Sequence, residues 1–321
     1  MNAASPSTVA VLGGTGFVGR NVCAAFVEAG HDVVAIARTA AQPPPGCRLE
    51  HLDLSVAGPE RIAALLRSID ARTVVNAAGA VWAVNRVQLT EQQVIDGNLT
   101  VVERMLAAFD LLDPKPRLVH LGSTYEYGPQ PDDSVLTEET PERPAAHYGI
   151  VKLKATDLVR EAGRTGRAET VTLRLTTSVG PWAPAASLMG RVASGLAKNP
   201  ERLEIPALED ERDFVDARDV AAAAVAAAER PITRDLYNIA STAVVPVAHA
   251  VDLLIKTAGR DAKISWLPRV AGRSDAGVIG TQRIDITAAR EHLGWQPRYT
   301  LAETLRALWD SARAQEEGWR G

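Results

Sequence analysis

Tyr148 and Lys152 stand four residues apart in Tyr148-Gly149-Ile150-Val151-Lys152. On a helix such a pair shares one face, so a phenol and an ammonium point into the same space. An ammonium held there favours the phenolate. It predicts a Tyr148 pKa below the usual value of about 10, and a proton donor and acceptor usable near neutral pH. The spacing is common by chance on surface helices, so its setting decides. Upstream, an apolar run over 117–121 ends in Gly122-Ser123-Thr124-Tyr125-Glu126-Tyr127-Gly128. At the carboxyl end of a central strand the Ser123 hydroxyl can hydrogen-bond a substrate oxygen; the alternative is a turn cap.

A second constellation, Gly13-Gly14-Thr15-Gly16-Phe17-Val18-Gly19, lies between an apolar run and an amphipathic one. Its first glycine suits a tight turn, its second lets backbone approach a pyrophosphate, and its third lets helix pack on strand. NAD-preferring turns of this kind are followed, about 20 residues on, by an acid for the ribose 2′-hydroxyl. Here that place reads Ala35-Ile36-Ala37-Arg38, and a guanidinium suits a 2′-phosphate. NADPH is therefore expected over NADH. Asp53 is placed to accept from an adenine amino group, or else to hold a turn.

These residues need elements that carry them to one place. Residues 8–12, 32–37, 48–52, 73–76, 117–121 and 170–175 read as short buried strands. Residues 17–29, 59–69, 91–109 and a stretch starting near 147 read as helices. Strands alternating with helices predict an α/β fold, a Rossmann-type doubly wound parallel sheet. After Thr176 the chain turns Pro-rich. An Ala-rich helix over 219–229 and a strand over 236–240 are expected to rejoin the sheet, while 247–259 and 264–321 form a smaller α/β lobe. The expected division is 1–175 plus about 216–240 for the dinucleotide, and about 176–215 plus 241–321 for the substrate.

Composition narrows the partners. A chain of 321 residues, 46% hydrophobic and 23% charged, has ample core and no disordered bias. The formal charge is −4, without blocks of one sign, so neither nucleic acid nor an anionic membrane surface is an expected partner. Only Cys23 and Cys47 are present, read as a helix and a loop position; no disulfide framework or metal site is expected. The first residues lack the basic-then-apolar order of a signal peptide, and the longest apolar run, 220–228, is far short of a membrane span. The protein is read as cytoplasmic.

The ordered motifs Gly13-x-x-Gly16-x-x-Gly19, Asp53, Asn98, Ser123-x-x-x-Tyr127-Gly128, Pro144-x-x-x-Tyr148-x-x-x-Lys152, Arg212-Asp213-Phe214-Val215 and Leu293-Gly294-Trp295-x-Pro297 resemble those of the extended short-chain dehydrogenase/reductases. Within these the chain is similar to the nucleotide-sugar epimerase, dehydratase and reductase group, over nearly its whole length. The resemblance implies Ser123, Tyr148 and Lys152 as the catalytic set, with Lys152 also holding the nicotinamide ribose and Asn98 behind it. Leu54, Ala77 and Ala78 are implied as further cofactor contacts. A nucleoside-diphosphate sugar is the implied substrate, met by Thr124, Tyr125, Thr177 and Arg212, with Arg273 as a second phosphate ligand. Thr177 departs from the asparagine common there, the spacing of Arg273 to Asp285 departs from the pattern, and Arg212 could instead pair with Asp213 or Asp216. Trp182 could stack on a base or sugar, or simply pack. A homodimer through 91–109 and 147–160 is implied.

Dehydratases of this family carry an Asp-Glu pair directly after the catalytic hydroxyl; Thr124 and Tyr125 occupy those places here. Glu126 comes one position late, and only a shifted loop would aim it inward. Enzymes that both epimerise and reduce carry a cysteine where Tyr125 stands. What remains is direct hydride transfer at a carbonyl. The segments 122–128 and 178–182 look similar to bacterial 4-ketoreductases that finish deoxysugars for glycosylated natural products. The expectation is an NADPH-dependent reductase of a nucleoside-diphosphate 4-keto-6-deoxyhexose, dTDP-linked. The alternatives are a 4-epimerase that keeps NAD bound and a non-catalytic NADP-sensing regulator.

Overall fold

The computed structural model describes residues 6–38, 42–79, 89–131, 134–198, 202–206, 211–267 and 279–319. The chain begins β1 (Thr8–Leu12), α1 (Phe17–Glu28), β2 (Asp32–Ala37), β3 (Cys47–His51), α2 (Pro59–Ser68) and β4 (Ala71–Asn76). It continues α3 (Glu91–Ile95), a π-helical segment over Asp96–Thr100, α4 (Val101–Phe109), β5 (Arg117–Ser123), β6 (Val135–Leu136), α5 (His147–Arg164) and β7 (Thr170–Leu175). Then come β8 (Thr177–Val179), α6 (Leu188–Ala197), β9 (Arg202–Pro206), β10 (Glu211–Asp216), α7 (Ala217–Glu229) and β11 (Leu236–Ile239). The chain closes with β12 (Val244–Pro246), α8 (Val247–Ala258), β13 (Lys263–Leu267), β14 (Arg283–Ile284), α9 (Thr287–His292) and α10 (Leu301–Trp319).

Seven strands form one parallel sheet in the order β11-β7-β5-β4-β1-β2-β3. Apart from the half-exposed edge strand β3, its strands are largely buried on both faces, as near-continuous apolar runs require. One face packs Val22, Cys23 and Phe26 of α1 and the alanines of α7; the other packs α2, α4 and α5. The Ala-rich stretch makes α7 thin, so it can lie close against both sheet and α1. The late strand β11 does rejoin the sheet beside β7. A separate core gathers α6, α8 and α10 around Phe214 of β10, beside the three-stranded sheet β12-β10-β8.

Two readings are corrected. Cys47 opens strand β3, pairing with Val33, rather than sitting in a loop. The helix expected over 91–109 is continuous in direction but widened by the π segment, which carries Asn98. Such wide turns arise where a side chain competes for the helical carbonyls, and the Asn98 amide donates to Val94 O at 2.9 Å. Among the described residues no helix is long and apolar enough to cross a membrane, and no group of three or more His, Cys, Asp or Glu is placed to hold a metal.

Candidate functional site

Strand order reverses between β1 and β4, so the loops at their carboxyl ends open a crevice there. Gly13 leaves β1 at φ +73°, and Gly16 precedes α1, whose first turn contains no acidic residue. A β-carbon on Gly19 would stand 2.1 Å from Gly13 O, so only glycine lets α1 lie this close to the turn. Thr15, Phe17 and Val18 complete a cradle of helix-terminal amides, which attracts an anion. Ala77 and Ala78 follow β4 and press against Gly13, the Ala77 amide donating to Leu12 O at 3.1 Å. The cradle fits the pyrophosphate of a dinucleotide.

Arg38 is exposed at the end of β2, next to Asp53 at the end of β3. Asp53 does hold a turn: its Oδ1 accepts from the Ser55 hydroxyl at 2.6 Å and amide at 2.9 Å. Those hydrogen bonds, with the Arg38 and Arg104 guanidiniums behind them, hold its carboxyl below the usual range. Leu54 beside it is buried. Arg104, passed over in the sequence, lies on α4 in this neighbourhood, and its Nη1 is buried with no hydrogen-bond partner among the described residues. Its signal was a cation placed just before the buried pair Met105 and Leu106.

Ser123 ends β5 and caps a 3-10 turn over Thr124–Glu126, its Oγ accepting from the Tyr125 amide at 3.3 Å. The Ser123 hydroxyl lies near enough to the Tyr148 phenol to favour its ionised form. Tyr148 enters on the first turn of α5, with the Tyr125 ring edge-on at 5.7 Å. Lys152, one turn on, is buried and donates to Leu121 O at 2.6 Å. Gly149 between them lets α5 seat on the turn, since a β-carbon there would lie 2.5 Å from Tyr125 O.

The proton states run opposite to the expectation for Tyr148. Burial pushes its phenol well above the ordinary 10, Glu126 and Tyr125 push the same way, and only the Ser123 hydroxyl pulls back. Lys152, which was to lower it, is itself lowered by burial, with Glu126 opposing. The physical reason is desolvation of both groups, with the ammonium turned to the Leu121 carbonyl. Burial thus favours the protonated phenol at Tyr148.

Glu126 does point inward, but away from open space. Its Oε1 accepts from the Ser123 amide at 2.7 Å and the Thr156 hydroxyl at 3.1 Å, and its Oε2 from Arg174 Nε at 2.9 Å. Across the crevice, Thr177 on β8 and Arg212 on β10 line a small cleft with Thr124, Thr176, Gly280 and Gln282. Arg212 Nη1 donates to the Glu211 and Gly280 carbonyls, and Asp216 pairs instead with Arg218. Gln282, also passed over, is buried and donates to the Thr124 and Gly128 carbonyls. Trp182, at φ +64° and 37% exposed, is tied by its amide to Ser311 on α10. Trp295 is buried, its indole donating to Asp219 O at 2.9 Å, so that motif joins α7 to the C-terminal segment. Arg273 lies outside the described residues.

Residues 9–240 match the model of the NAD dependent epimerase/dehydratase family. The chain belongs to that family. A relative, the dTDP-6-deoxy-L-talose 4-dehydrogenase (NAD(P)(+)) of Kitasatospora kifunensis, is 38% identical over 311 residues, covering 95% of each chain. The fold is shared with UDP-glucose 4-epimerase from Bifidobacterium longum in complex with NAD+ and UDP (TM-score 0.84, 20% identity, 97% of this chain and 99% of that one). It is shared too with RMD from Pseudomonas aeruginosa complexed with NADPH (TM-score 0.79, 21% identity, 98% and 100%). As a member of the epimerase/dehydratase family the chain is an NAD(P)-dependent enzyme that modifies nucleotide sugars.

Proposed function

We propose that this member of the family is an NADPH-dependent reductase of a nucleoside-diphosphate 4-keto-6-deoxyhexose, acting at C4 of a dTDP-linked sugar. The observation that carries the reading is geometric: Tyr148 and Lys152 stand one turn apart on α5 against the end of β5, with the Glu126 carboxylate engaged by Ser123, Thr156 and Arg174. Reducing a ketone takes one hydride and one proton; eliminating water needs a separate acid and base beside the sugar. Thr124 and Tyr125, an alcohol and a phenol, do not readily replace that carboxyl pair. The name of the 38% identical relative supports the same carbon and carrier, because dehydrogenation at C4 is this reduction run backwards. Arg38, with no acid at the end of β2, supports NADPH.

The amides of Thr15, Phe17, Val18 and Gly19 would hold the pyrophosphate, with Gly13 and Gly16, whose own amides close the turn, letting it approach; Arg38 would take the 2′-phosphate, and Asp53 with Leu54 the adenine. Ala77, Ala78, Asn98 and Lys152 would border the nicotinamide half. When bound, the nicotinamide supplies the hydride. Ser123 steadies the carbonyl oxygen, and Tyr148 gives that oxygen its proton as negative charge develops. Lys152 stabilises the phenolate left behind. Arg212 would take the sugar nucleotide's diphosphate through its planar donors, with Arg273 as a second ligand. Thr124, Tyr125 and Thr177 would face the sugar. The division into a cofactor part (1–175 plus about 216–240) and a sugar-nucleotide part is ours too. It is supported by β8 and β10 lying outside the seven-stranded sheet. So is a homodimer through 91–109 and 147–160, supported by Ile150 and Leu158 on α5, 38% and 36% exposed.

The test mixes the protein with freshly generated dTDP-4-keto-6-deoxyglucose and NADPH, with NADH in parallel, and follows cofactor absorbance. Oxidation of NADPH is expected. Retained NAD with interconversion of UDP-hexoses would replace the reading by an epimerase, and no turnover of any sugar nucleotide by a cofactor sensor.

A further inference from the structure

Tyr148, Lys152 and Thr156 occupy successive turns on one face of α5. Beneath them lies the fully buried Glu126, which joins three elements: the end of β5 through the Ser123 amide, α5 through the Thr156 hydroxyl, and β7 through Arg174. Arg174 is itself fully buried, stacks over the Tyr127 ring at 4.3 Å and reaches Glu142 at 3.0 Å. A buried ion pair yields little net stability over an apolar pair of equal volume. Its place directly under the acid of the site therefore calls for another role.

We propose that Glu126 is a positioning residue: its carboxylate clamps the Ser123 backbone to α5, and its charge biases the site toward giving a proton rather than taking one. The proposal rests on the ketoreductase reading and extends it. Electrostatics agree, since the Glu126 charge disfavours the Tyr148 phenolate and favours the Lys152 ammonium. The other groups facing this cluster are Tyr125 and Tyr127 from the turn, Asp157 and Arg160 from α5, Arg174 from β7, Glu142 from its loop, and His120 of β5 toward Lys152. Reduction starts from protonated Tyr148 and the reverse oxidation from its phenolate. A carboxylate here extends reduction to alkaline pH and suppresses oxidation.

The experiment compares wild type, Glu126→Gln, Glu126→Asp and the charge-neutral pair Glu126→Gln/Arg174→Gln, all with cofactor bound. Two pH profiles are read: NADPH turnover with the 4-keto sugar, and tyrosinate absorbance with that of Tyr148→Phe in the same background subtracted. In both Gln variants the alkaline limb and the Tyr148 ionisation are expected to move down by about one pH unit, while Glu126→Asp stays near wild type. Unchanged Tyr148 ionisation in a folded Gln variant, with only a lowered melting temperature, would overturn the proposal. If wild type does not reduce the sugar, the ketoreductase reading fails on the first profile, and the second still decides the role of Glu126. The paired variant leaves no unpartnered buried arginine, so it answers even if Glu126→Gln does not fold.

Discussion

Gly149→Ala puts the seating of the site under direct strain. A β-carbon there would lie 2.5 Å from Tyr125 O and 3.1 Å from Pro144 Cβ, whereas ordinary contact begins at 3.4 Å. Helix and turn must therefore part by about 0.9 Å. Neither yields cheaply: the oxygen is backbone, and its turn is pinned by the Ser123 cap and by Glu126. Helix propensity alone favours alanine by about 1 kcal/mol, while overpacking costs about 1–3 kcal/mol. The net is a destabilisation of up to about 2 kcal/mol. Turnover suffers more, because Tyr148 rides on one of the parted surfaces and Ser123 on the other; a misplacement near 1 Å costs about 100-fold. The assay pairs NADPH turnover with a cofactor-binding titration and thermal unfolding. Cofactor affinity should hold while turnover falls. An alanine variant more stable than wild type, with turnover within about threefold, would refute the close contact of α5 with the turn.

Three further outcomes are expected. Tyr148→Phe should keep NADPH affinity and lose about 100- to 10,000-fold in turnover; turnover near wild type would remove Tyr148 from the reaction. Arg38→Asp should weaken NADPH about 10- to 100-fold, as loss of charge-assisted hydrogen bonds implies, with NADH little changed; equal losses in the two binding titrations would end the 2′-phosphate assignment. His120 is fully buried against Asn76, and burial holds its pKa well below the ordinary 6.5. The unfolded chain takes up that proton first, so this contribution to stability is complete above about pH 6.5 and lost as pH falls below it, at up to about 1.4 kcal/mol per unit. His120→Asn should flatten the acid slope of denaturant unfolding, and an unchanged slope would clear His120 of it.

The elements whose pattern is local were legible from residues alone. β1, β2 and β7 have the bounds read from their apolar runs, since strands buried on both faces leave an unbroken signal. The glycine turn was equally plain, because φ +73° at Gly13 and the 2.1 Å approach at Gly19 leave no other residue a place. That Tyr148 and Lys152 share one helix was legible from their spacing, which needs no tertiary knowledge. Arg38 was singled out by its distance along the chain from the turn, and Asp53 by its place just past the third strand.

What depends on packing between distant segments was not legible. The π segment at Asn98 differs from regular helix only in which carbonyl each amide meets, and Cys47 became a strand residue because Val33 offered an edge. Glu126 looked one position out of place; the tertiary structure brings it to Thr156, 30 residues on, and Arg174, 48 residues on. The sign of the Tyr148 shift turned for a related reason. Spacing says that a lysine is near, but only the folded chain says how much water both groups lose and that Glu126 lies beneath them. Residue types and their order singled out the candidates. Burial, which the sequence does not carry, set the direction in which the Tyr148 and Lys152 ionisations shift.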